Sequence, residues 1–315
     1  MTDVKNMQMR DAFITGLLER ASVDRDILFI SDEYGAPALD RFREILPGQF
    51  INAGISEQNI ISVAAGLATG GKKVFVYSIA SFITLRCFEQ LKLDLCCHKL
   101  PVTIVGVGTC YAYSQDGPTH HATEDIAVMR ALAGMEIYSP SDAQLAHELV
   151  DISLNTTAPS YIRLDKGIFV SLSEEKTDWD RGFRILRTGG DLCIVSTGIM
   201  VHRALEVAEK LAVQGIRASV IDLFKLKPIG ESHIIKTFRS FNRVVSIEEH
   251  TITGGLGSIL AELIVDNGLP VRLKRIAVKE AALYTYGVRD TLQKDLGLDT
   301  DNIIKSISEW LRKIK

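Results

Sequence analysis

Four side chains of the types that perform acid–base chemistry stand at similar places in this sequence. Asp32 and Glu57 each follow shortly after an apolar run, and a long polar loop after a later apolar run contains Asp116 and His120. Carboxyl and imidazole groups are common general acids and bases, and burial or a neighbouring charge moves their pKa values toward the working pH. The residue types therefore indicate a site that moves protons, without specifying a reaction.

Short β-branched runs that alternate with helical periodicity must position these side chains. In the first half, strands are predicted at residues 26–31, 50–52, 74–77, 102–107 and 160–164. Helical spacing fills the intervals, as in the stretch opened by Ser56, where Ile60 and Ala64 share a face. Such alternation is typical of a parallel sheet covered on both faces, and its ligands bind beyond the carboxyl ends of the strands. We therefore expect the four side chains to meet at one sheet edge.

A second unit of the same kind follows a more polar stretch that ends in Gly189-Gly190. Between two of its strands lies a helix with an apolar stripe through Val201, Ala204 and Leu211. Strands of this unit are predicted at residues 192–196, 218–222, 243–247 and 272–276. The sequence thus predicts two doubly wound α/β domains, residues 1–172 and 190–315, joined by a linker at residues 173–189.

Composition and charge exclude several classes of protein. The chain has 315 residues, is 46% hydrophobic and 24% charged, and resembles an ordinary globular protein of about two domains. Lys plus Arg number 36 and Asp plus Glu number 39, so the net charge of −3 indicates no nucleic-acid partner. No stretch approaches the ~20 apolar residues of a membrane span, and the N-terminus lacks the apolar core of a signal peptide. We therefore expect a cytoplasmic protein.

The sequence predicts no metal site and no disulfide framework. Its five cysteines include no C-x-x-C pair, so buried reduced thiols are the better interpretation. His120 and His121 are adjacent, and no third ligand is spaced to complete a metal site. The glycine-rich run at residues 254–257 could hold an anion at a helix N-terminus, but Leu260 breaks the G-x-G-x-x-G pattern. A tight strand-to-helix turn or an interface element is the favoured interpretation of that run.

Each candidate residue also has a purely structural interpretation. A carboxylate in the first helical turn, such as Glu57, is stabilised by the helix dipole by ~0.3–1 kcal/mol. Asp32 could cap a turn, and Phe82 and Phe88 could belong to the core. Arg163 lies inside a predicted strand, where a structural ion pair is the alternative to a ligand-binding role. Composition and spacing therefore define a site and leave its reaction open.

Four segments taken together resemble the transketolase family of thiamine-diphosphate-dependent enzymes. Residues 54–58 (GISEQ) are similar to its G-[IV]-x-E-[QH] segment, and residues 116–120 (DGPTH) to its D-G-P-T-H loop. Ser81-Phe82 followed by Phe88 resembles the aromatic segment that packs on the cofactor, and residues 158–163 (APSYIR) resemble the last strand of the pyrimidine-binding domain. The segments occur in the family's order, and the similarity spans nearly the whole chain.

The resemblance implies a parallel-sheet pyrimidine-binding domain followed by a transketolase C-terminal-like α/β domain. The G-D-G sequence with which the family's first domain holds magnesium and diphosphate is absent from this chain. The chain therefore resembles the second half of a transketolase. A separate N-terminal subunit would carry the diphosphate and most of the Mg²⁺ site, and two copies of each chain would form a heterotetramer.

The resemblance also implies roles for the residues around thiamine diphosphate. Glu57 would bond a ring nitrogen of the aminopyrimidine, and the catalytic residues would be Glu57 and His120. Asp32, Phe82 and Phe88 would line the cofactor, with an aliphatic wall at Leu85 where better known members have an aromatic residue. Replacement of Glu57 by Ala or Gln is expected to abolish turnover and to leave the fold intact.

The reaction implied is transfer of a two-carbon ketol unit from a ketose, or ketose phosphate, to an aldose. Arg10, Asp116, His120 and Arg163 would bind the substrate, with the two arginines at its terminal phosphate. The family's phosphate-binding histidine and serine are replaced here by Gly108 and Ala36. A modified or differently presented sugar is therefore an alternative to the usual pentose phosphates.

Three other functions remain open. A deoxyxylulose phosphate synthase has similar motifs, but it usually has Gln where this chain has Pro118, and its members are generally single long chains. The beta subunit of a 2-oxo acid dehydrogenase has the same two domains without the D-G-P-T-H loop. A non-catalytic partner subunit is the alternative from a different class, and the retention of Glu57 argues against it.

Overall fold

Two β-sheets, one of seven strands and one of five, organise the chain. The computed structural model describes residues 4–32, 35, 37–173, 176–279 and 286–313. The first half contains α1 (Met9–Ala21), β1 (Ile27–Ser31), α2 (Pro37–Ile45), a 3₁₀ turn (Pro47–Gln49), β2 (Phe50–Asn52), α3 (Glu57–Thr69), β3 (Lys73–Ile79), a π-helical turn (Phe82–Arg86), α4 (Phe88–Gln90), a second π-helical turn (Leu91–Cys96), β4 (Thr103–Val107), α5 (Asp125–Arg130), β5 (Glu136–Tyr138), α6 (Ala143–Asn155) and β6 (Ser160–Leu164). The second half contains β7 (Phe183–Arg187), β8 (Leu192–Ser196), α7 (Met200–Val213), β9 (Ala218–Leu223), β10 (Lys225–Lys227), α8 (Glu231–Phe238), β11 (Arg243–Thr251), α9 (Leu256–Asp266), β12 (Arg272–Val278), α10 (Arg289–Asp295) and α11 (Thr300–Lys313).

The first sheet has the strand order β10-β5-β6-β4-β3-β1-β2, and β1 to β6 pair with one another in parallel. Its central strands are buried because apolar clusters lie on both faces. Ile60 of α3 belongs to one cluster, and Phe13 of α1 belongs to the other. All six parallel strands end at the same side of the sheet, which we call the carboxyl edge. The predicted fold class is confirmed for this half.

The second sheet has the order β12-β11-β8-β9-β7, and only β7 is antiparallel to its neighbour. The predicted α/β class is therefore confirmed here too. The predicted linker, residues 173–189, is wrong at its C-terminal end, because Phe183–Arg187 is a strand of this sheet. This strand was not predicted because arginines alternate with its apolar residues. Arg184 is drawn inward by an ion pair with the buried Asp222, whose carboxylate oxygen lies 2.7 Å from Nη2.

One short strand connects the two halves. Strand β10, which follows β9 in the chain, pairs antiparallel with β5 and so extends the first sheet. Lys227 reinforces this junction, since its Nζ donates to the carbonyl oxygens of Arg130 at 2.8 Å and Leu132 at 2.5 Å. This strand is not predicted from the sequence, because three residues that include two lysines carry no strand periodicity.

The glycine-rich run at residues 254–257 forms a tight strand-to-helix turn, as predicted. Gly254 has φ +78°, and the backbone N–H groups of Leu256 and Gly257 donate to the Glu248 carboxylate at 2.6 and 2.7 Å. A Cβ at Gly255 would lie 2.2 Å from Glu248 Oε2, so the close approach requires glycine. The anion at this helix N-terminus is therefore the chain's own carboxylate, whose pKa burial raises to about 7.

The cysteines are free thiols, and three of the five, Cys87, Cys110 and Cys193, are buried as predicted. Cys97 is exposed, which differs from the prediction, because it follows the second π-helical turn at the surface. Among the described helices, none combines the length and the apolar character needed to cross a bilayer.

Candidate active site at the carboxyl edge of the first sheet

A tight turn between β2 and α3 places Glu57 at the carboxyl edge. Gly54 adopts φ +63°, its N–H donates to Asn52 Oδ1 at 3.0 Å, and Ser56 Oγ donates to the Ala53 carbonyl at 2.8 Å. Helix α3 then begins at Glu57, which is only 2% exposed. The turn thus fixes a buried carboxylate at a helix N-terminus, where the helix dipole favours negative charge.

Asp32 directly follows β1 and lies near this glutamate. Its side chain is 2% exposed, and neither carboxylate oxygen has a hydrogen-bond partner among the described residues. Burial raises the pKa of Asp32 to about 6, the charge of Glu57 adds to the rise, and the nearby Ser78 hydroxyl and Arg86 oppose it. A buried acceptor without a donor is rare in native proteins. We interpret Asp32 as a hydrogen-bond acceptor for a bound ligand.

Arg86 completes this part of the site, and the sequence analysis did not identify it. Its Nη1 donates to Glu57 Oε1 at 2.5 Å, and its Cζ lies 4.5 Å from the centroid of the Phe82 ring. The side chain is 46% exposed, so it closes the site from the solvent side. The π-helical turn that positions it has no sequence signature, although such turns are frequent at functional sites.

The D-G-P-T-H loop brings His120 to the same place. The loop closes through a two-bond antiparallel bridge between Cys110 and Ala122. The His120 ring lies 5.1 Å from the Phe82 ring and 6.0 Å from the Tyr113 ring, measured between centroids. The structure therefore brings together two acids, an arginine, an aromatic wall and an imidazole.

Two predicted residues stand apart from this group. Phe88 begins the next helical segment and packs against the core cluster beneath α3, and Leu85 is 47% exposed. Asp116 is exposed on the loop, where its N–H donates to the Tyr113 carbonyl at 3.0 Å. A contact of Phe88 with a cofactor and of Asp116 with a substrate hydroxyl remain predictions.

Arg10 reaches the carboxyl edge from the first turn of α1. Its Nε donates to Asp11 Oδ1 at 2.8 Å, and its guanidinium lies beside the Tyr77 hydroxyl at the end of β3. Only 12% of its side chain is exposed. The structure thus places Arg10 near the carboxyl edge, and its role at a substrate phosphate remains a prediction.

Arg163 is instead drawn into the interior. Its Nε and Nη2 bond the two oxygens of Asp125 at 2.7 and 2.9 Å, and Nη1 donates to Ser139 Oγ at 3.0 Å. Burial opposes ionisation of Asp125, but the charge and bonds of Arg163 outweigh it and lower the pKa of that carboxyl. This is the structural ion pair that was the alternative interpretation. A role at a substrate phosphate stays a prediction, and it requires that the pair rearrange.

Two positions, Ala36 and Gly108, lack the phosphate-binding side chains that the resemblance implies. Ala36 lies outside the described residues. At Gly108, which has φ +79°, the space for a side chain is filled, since a Cβ there would lie 1.9 Å from Cε2 of Tyr113. In the described part of the chain, no cluster of three or more His, Cys, Asp or Glu side chains could hold a metal ion.

Comparison with known families identifies the class of protein that this fold and site define. Residues 5–170 match the transketolase pyrimidine-binding domain, and residues 182–303 match the transketolase C-terminal domain. The chain belongs to the transketolase family.

Several relatives share nearly the full length of this chain. A subunit of the apulose-4-phosphate transketolase of Phocaeicola vulgatus is 35% identical over 96% of this chain and 97% of its own. The 6-deoxy-6-sulfo-D-fructose transketolase subunit SqwH of Clostridium sp. strain MSTE9 is 35% identical over 96% of this chain and 94% of its own. A solved structure described as a split gene transketolase, inactive beta4 tetramer, superposes with a TM-score of 0.88 at 30% identity and covers 96% of this chain and 98% of that one.

Proposed function

We propose that this chain is the C-terminal subunit of a two-chain transketolase. With thiamine diphosphate bound between it and a separate N-terminal subunit, the enzyme moves a two-carbon ketol unit from a ketose to an aldose. The observation that carries the proposal is Glu57, a buried carboxyl on the first turn of α3 at the carboxyl edge of a pyrimidine-binding domain. Residues 1–172 would supply this half of the site.

The side chains at the edge fit the aminopyrimidine ring of thiamine diphosphate. Such a ring needs a carboxyl at a ring nitrogen, an apolar wall and further acceptors for its amino group. Glu57 offers the first, Phe82 offers the wall, and the unpartnered oxygens of Asp32 offer acceptors. When bound, the cofactor supplies the nucleophilic carbon and the electron sink for carbon–carbon bond cleavage.

The chain's own residues would orient this group and move protons. Glu57 holds a proton at the ring nitrogen, and its burial favours the short, directional hydrogen bond that this role needs. His120, whose Nδ1 lies 3.0 Å from Thr119 Oγ1, has its ring oriented beside Phe82 and can carry a proton near the reacting carbons. Asp116 accepts a hydrogen bond from a substrate hydroxyl.

An exposed apolar surface supports a separate partner subunit. Helix α3 and the segment 82–96 pack together through a 2.6 Å hydrogen bond between Ser62 Oγ and Asp94 Oδ2. The two elements carry Glu57 and Arg86. Together with the turn before α3, they leave large apolar side chains exposed, namely Ile55 (70%), Val63 (39%), Leu85 (47%) and Leu93 (46%). Apolar patches of this kind mark interfaces. We place the N-terminal subunit here, with the diphosphate and Mg²⁺ held mainly by it, in a two-plus-two assembly.

The relatives indicate the class of substrate. One is named for a sugar with a phosphate group and another for a sugar with a sulfo group, and both names denote subunits of transketolases. We propose that the substrates of this chain are likewise sugars with an anionic terminal group.

Co-purification followed by reconstitution tests the proposed function. A tagged chain, purified from its source cells, should bring down a stoichiometric protein that carries G-D-G. The pair should bind thiamine diphosphate only with Mg²⁺ and should transfer a ketol unit between sugars. Glu262→Gln, which changes an exposed carboxylate of α9, serves as the matched control for variants of Glu57 and should transfer like the wild type.

Other outcomes would favour the alternatives. Dependence on lipoamide would point to a 2-oxo acid dehydrogenase subunit, and ketol transfer without it would exclude that assignment. A monodisperse chain with no G-D-G partner would contradict the proposal and favour a non-catalytic role.

A further inference from the structure

The gap at Gly108 is closed by a different side chain of the same loop. Tyr113 lays its ring over Gly108 so closely that a Cβ there would lie 1.9 Å from its Cε2. Gly108 is fixed in turn, because its N–H donates to the Leu164 carbonyl at 2.8 Å and its φ of +79° suits glycine. Tyr113 therefore fills the space that a side chain at position 108 would occupy, next to the predicted substrate-binding residues.

A cation without a carboxylate partner covers this tyrosine. Lys166 Nζ lies 3.9 Å from the centroid of the Tyr113 ring. Within the described ranges, no carboxylate oxygen approaches this ammonium within 4 Å, whereas the neighbouring Asp165 is taken up by Arg289 at 2.9 Å. Contact with an aromatic face stabilises an ammonium much less than a carboxylate partner in the interior would. The charge of Lys166 is therefore available to an anion.

Arg10 belongs to the same neighbourhood of the chain. An antiparallel bridge between Gln8 and Ile168 holds the start of α1 beside the segment that carries Lys166. Burial raises the pKa of the Tyr113 hydroxyl, and the charge of Arg10 opposes that rise. Asp11 already balances Arg10, which leaves Lys166 as the uncompensated charge.

We propose that Lys166, Tyr113 and Arg10 form the subsite for the anionic terminal group of the sugar. Lys166 supplies the charge, Arg10 supplies directed N–H donors, and the neutral Tyr113 hydroxyl supplies an O–H donor. The subsite takes a tetrahedral oxyanion, either a phosphate or a sulfonate, because a point charge and a fork of donors suit both. This inference rests on the proposed function, and it names the specificity-determining residues of that site.

The kinetic test uses the enzyme assembled with its N-terminal subunit. Lys166→Met should raise KM for a phosphorylated aldose about tenfold with kcat nearly unchanged, and it should leave the same aldose without phosphate unaffected. Lys166→Arg should restore most of the loss. Lys305→Met, at an exposed position of α11, is the matched control. A parallel series with a sulfonated sugar shows which oxyanion the subsite prefers. An equal loss for charged and uncharged acceptors would overturn the proposal.

A direct binding measurement separates this inference from the proposed function. Inorganic phosphate and inorganic sulfate are titrated against the full-length chain, alone and with the N-terminal subunit, and binding is followed by calorimetry. Lys166→Met and Tyr113→Phe should each weaken binding of one of these anions, by about tenfold and about threefold, relative to Lys305→Met. Undiminished binding in Lys166→Met would sink the subsite even if ketol transfer is observed. Diminished binding would support it even if transfer fails.

Discussion

Two pairs among the buried carboxylates of the described residues differ in how they are held. In the second half, Glu248 and Glu249 lie side by side on β11, both almost fully buried. Glu248 accepts hydrogen bonds from the first backbone N–H groups of α9. Glu249 accepts hydrogen bonds from Nε of Arg289 and, at 2.5 Å, from Nε2 of Gln293. These acids are paired entirely from within the chain.

At the carboxyl edge of the first sheet, Asp32 and Glu57 are equally buried and much less well paired. Among the described residues, Asp32 makes no hydrogen bond of good geometry, and only the nearby Ser78 hydroxyl and the charge of Arg86 oppose its burial. Glu57 is bonded by the half-exposed Arg86. Buried polar groups in native proteins nearly always have hydrogen-bond partners. The incompletely bonded acids, Asp32 and Glu57, therefore indicate the functional site, whereas the fully bonded acids, Glu248 and Glu249, stabilise the fold. Replacing the members of each pair should therefore have opposite consequences.

The largest expected effect is on turnover. Glu57→Gln keeps the size and the hydrogen-bonding shape of the side chain but cannot hold a proton at the ring nitrogen, so kcat should fall about 10³-fold. Unfolding by urea should be unchanged within about 0.5 kcal/mol. Steady-state kinetics of the assembled enzyme measures the first quantity. If kcat stays within tenfold of the Glu262→Gln control, Glu57 is not the catalytic carboxyl.

The next effect is on stability and belongs to the interior pair. Arg289 bonds both Glu249 and Asp165, with 2.9 Å to the latter, and Arg289→Met would leave two buried carboxylates without their cation. Removing one member of a buried ion pair costs about 3 kcal/mol or more. Urea unfolding should show a loss of about 3 kcal/mol, whereas Arg312→Met, at an exposed position of α11, should show almost none. An unchanged midpoint would mean that this network does not stabilise the fold.

Much of the fold could be predicted because buried strands have continuous apolar runs. Strands β2, β6 and β8 have the predicted bounds, and the others predicted differ by one to four residues at an end. The strands that were not predicted, β5, β7 and β10, are short or rich in charged residues. Their pairing depends on tertiary contacts such as that of Arg184 with Asp222, which no local pattern reveals.

The candidate site was predictable where one short segment determines it. The turn before Glu57 is encoded by Gly54 and Ser56, and the hairpin-like loop that carries His120 is encoded within a dozen residues. Arg163 was the opposite case. Its partner Asp125 stands 38 positions away, and only the packed structure shows which of two roles the guanidinium takes. Lys166 was not predicted either, because its contact with Tyr113 is visible only in the packed structure.

A smaller effect concerns the charge of Asp32. Its pKa is raised from 3.8 to about 6, so the fold favours the protonated acid. The resulting stabilisation is present below pH 3.8 and is lost as the pH rises through about 6, which leaves the ionised carboxylate destabilising at pH 8. Asp32→Asn should therefore be more stable than the wild type at pH 8, by about 2 kcal/mol with allowance for water at the pocket mouth, and equal to it near pH 4.

Urea unfolding at both pH values checks this prediction. Asp191→Asn is the matched control of opposite sign, because hydrogen bonds from Arg217 lower the pKa of Asp191 and this variant should lose stability at pH 8. Equal stability of Asp32→Asn and the wild type at pH 8 would show that the Asp32 carboxylate is not destabilising. That result would contradict the interpretation of Asp32 as a hydrogen-bond acceptor for a ligand.

The smallest effect sharpens the contrast between the two pairs. The half-exposed Arg86 donates to Glu57 Oε1 at 2.5 Å, and we expect it to compete with a ring nitrogen for this carboxyl. Because one partner of this ion pair is half exposed to water, we expect the pair to contribute only about 1 kcal/mol. Arg86→Gln should therefore bind thiamine diphosphate up to about fivefold more tightly in the assembled enzyme, as measured by calorimetry. Arg239→Gln, an exposed arginine that follows α8, should bind like the wild type. Weaker binding in Arg86→Gln would mean that this arginine contacts the bound cofactor, in which case Glu57, like Glu249, keeps its arginine when the site is in use.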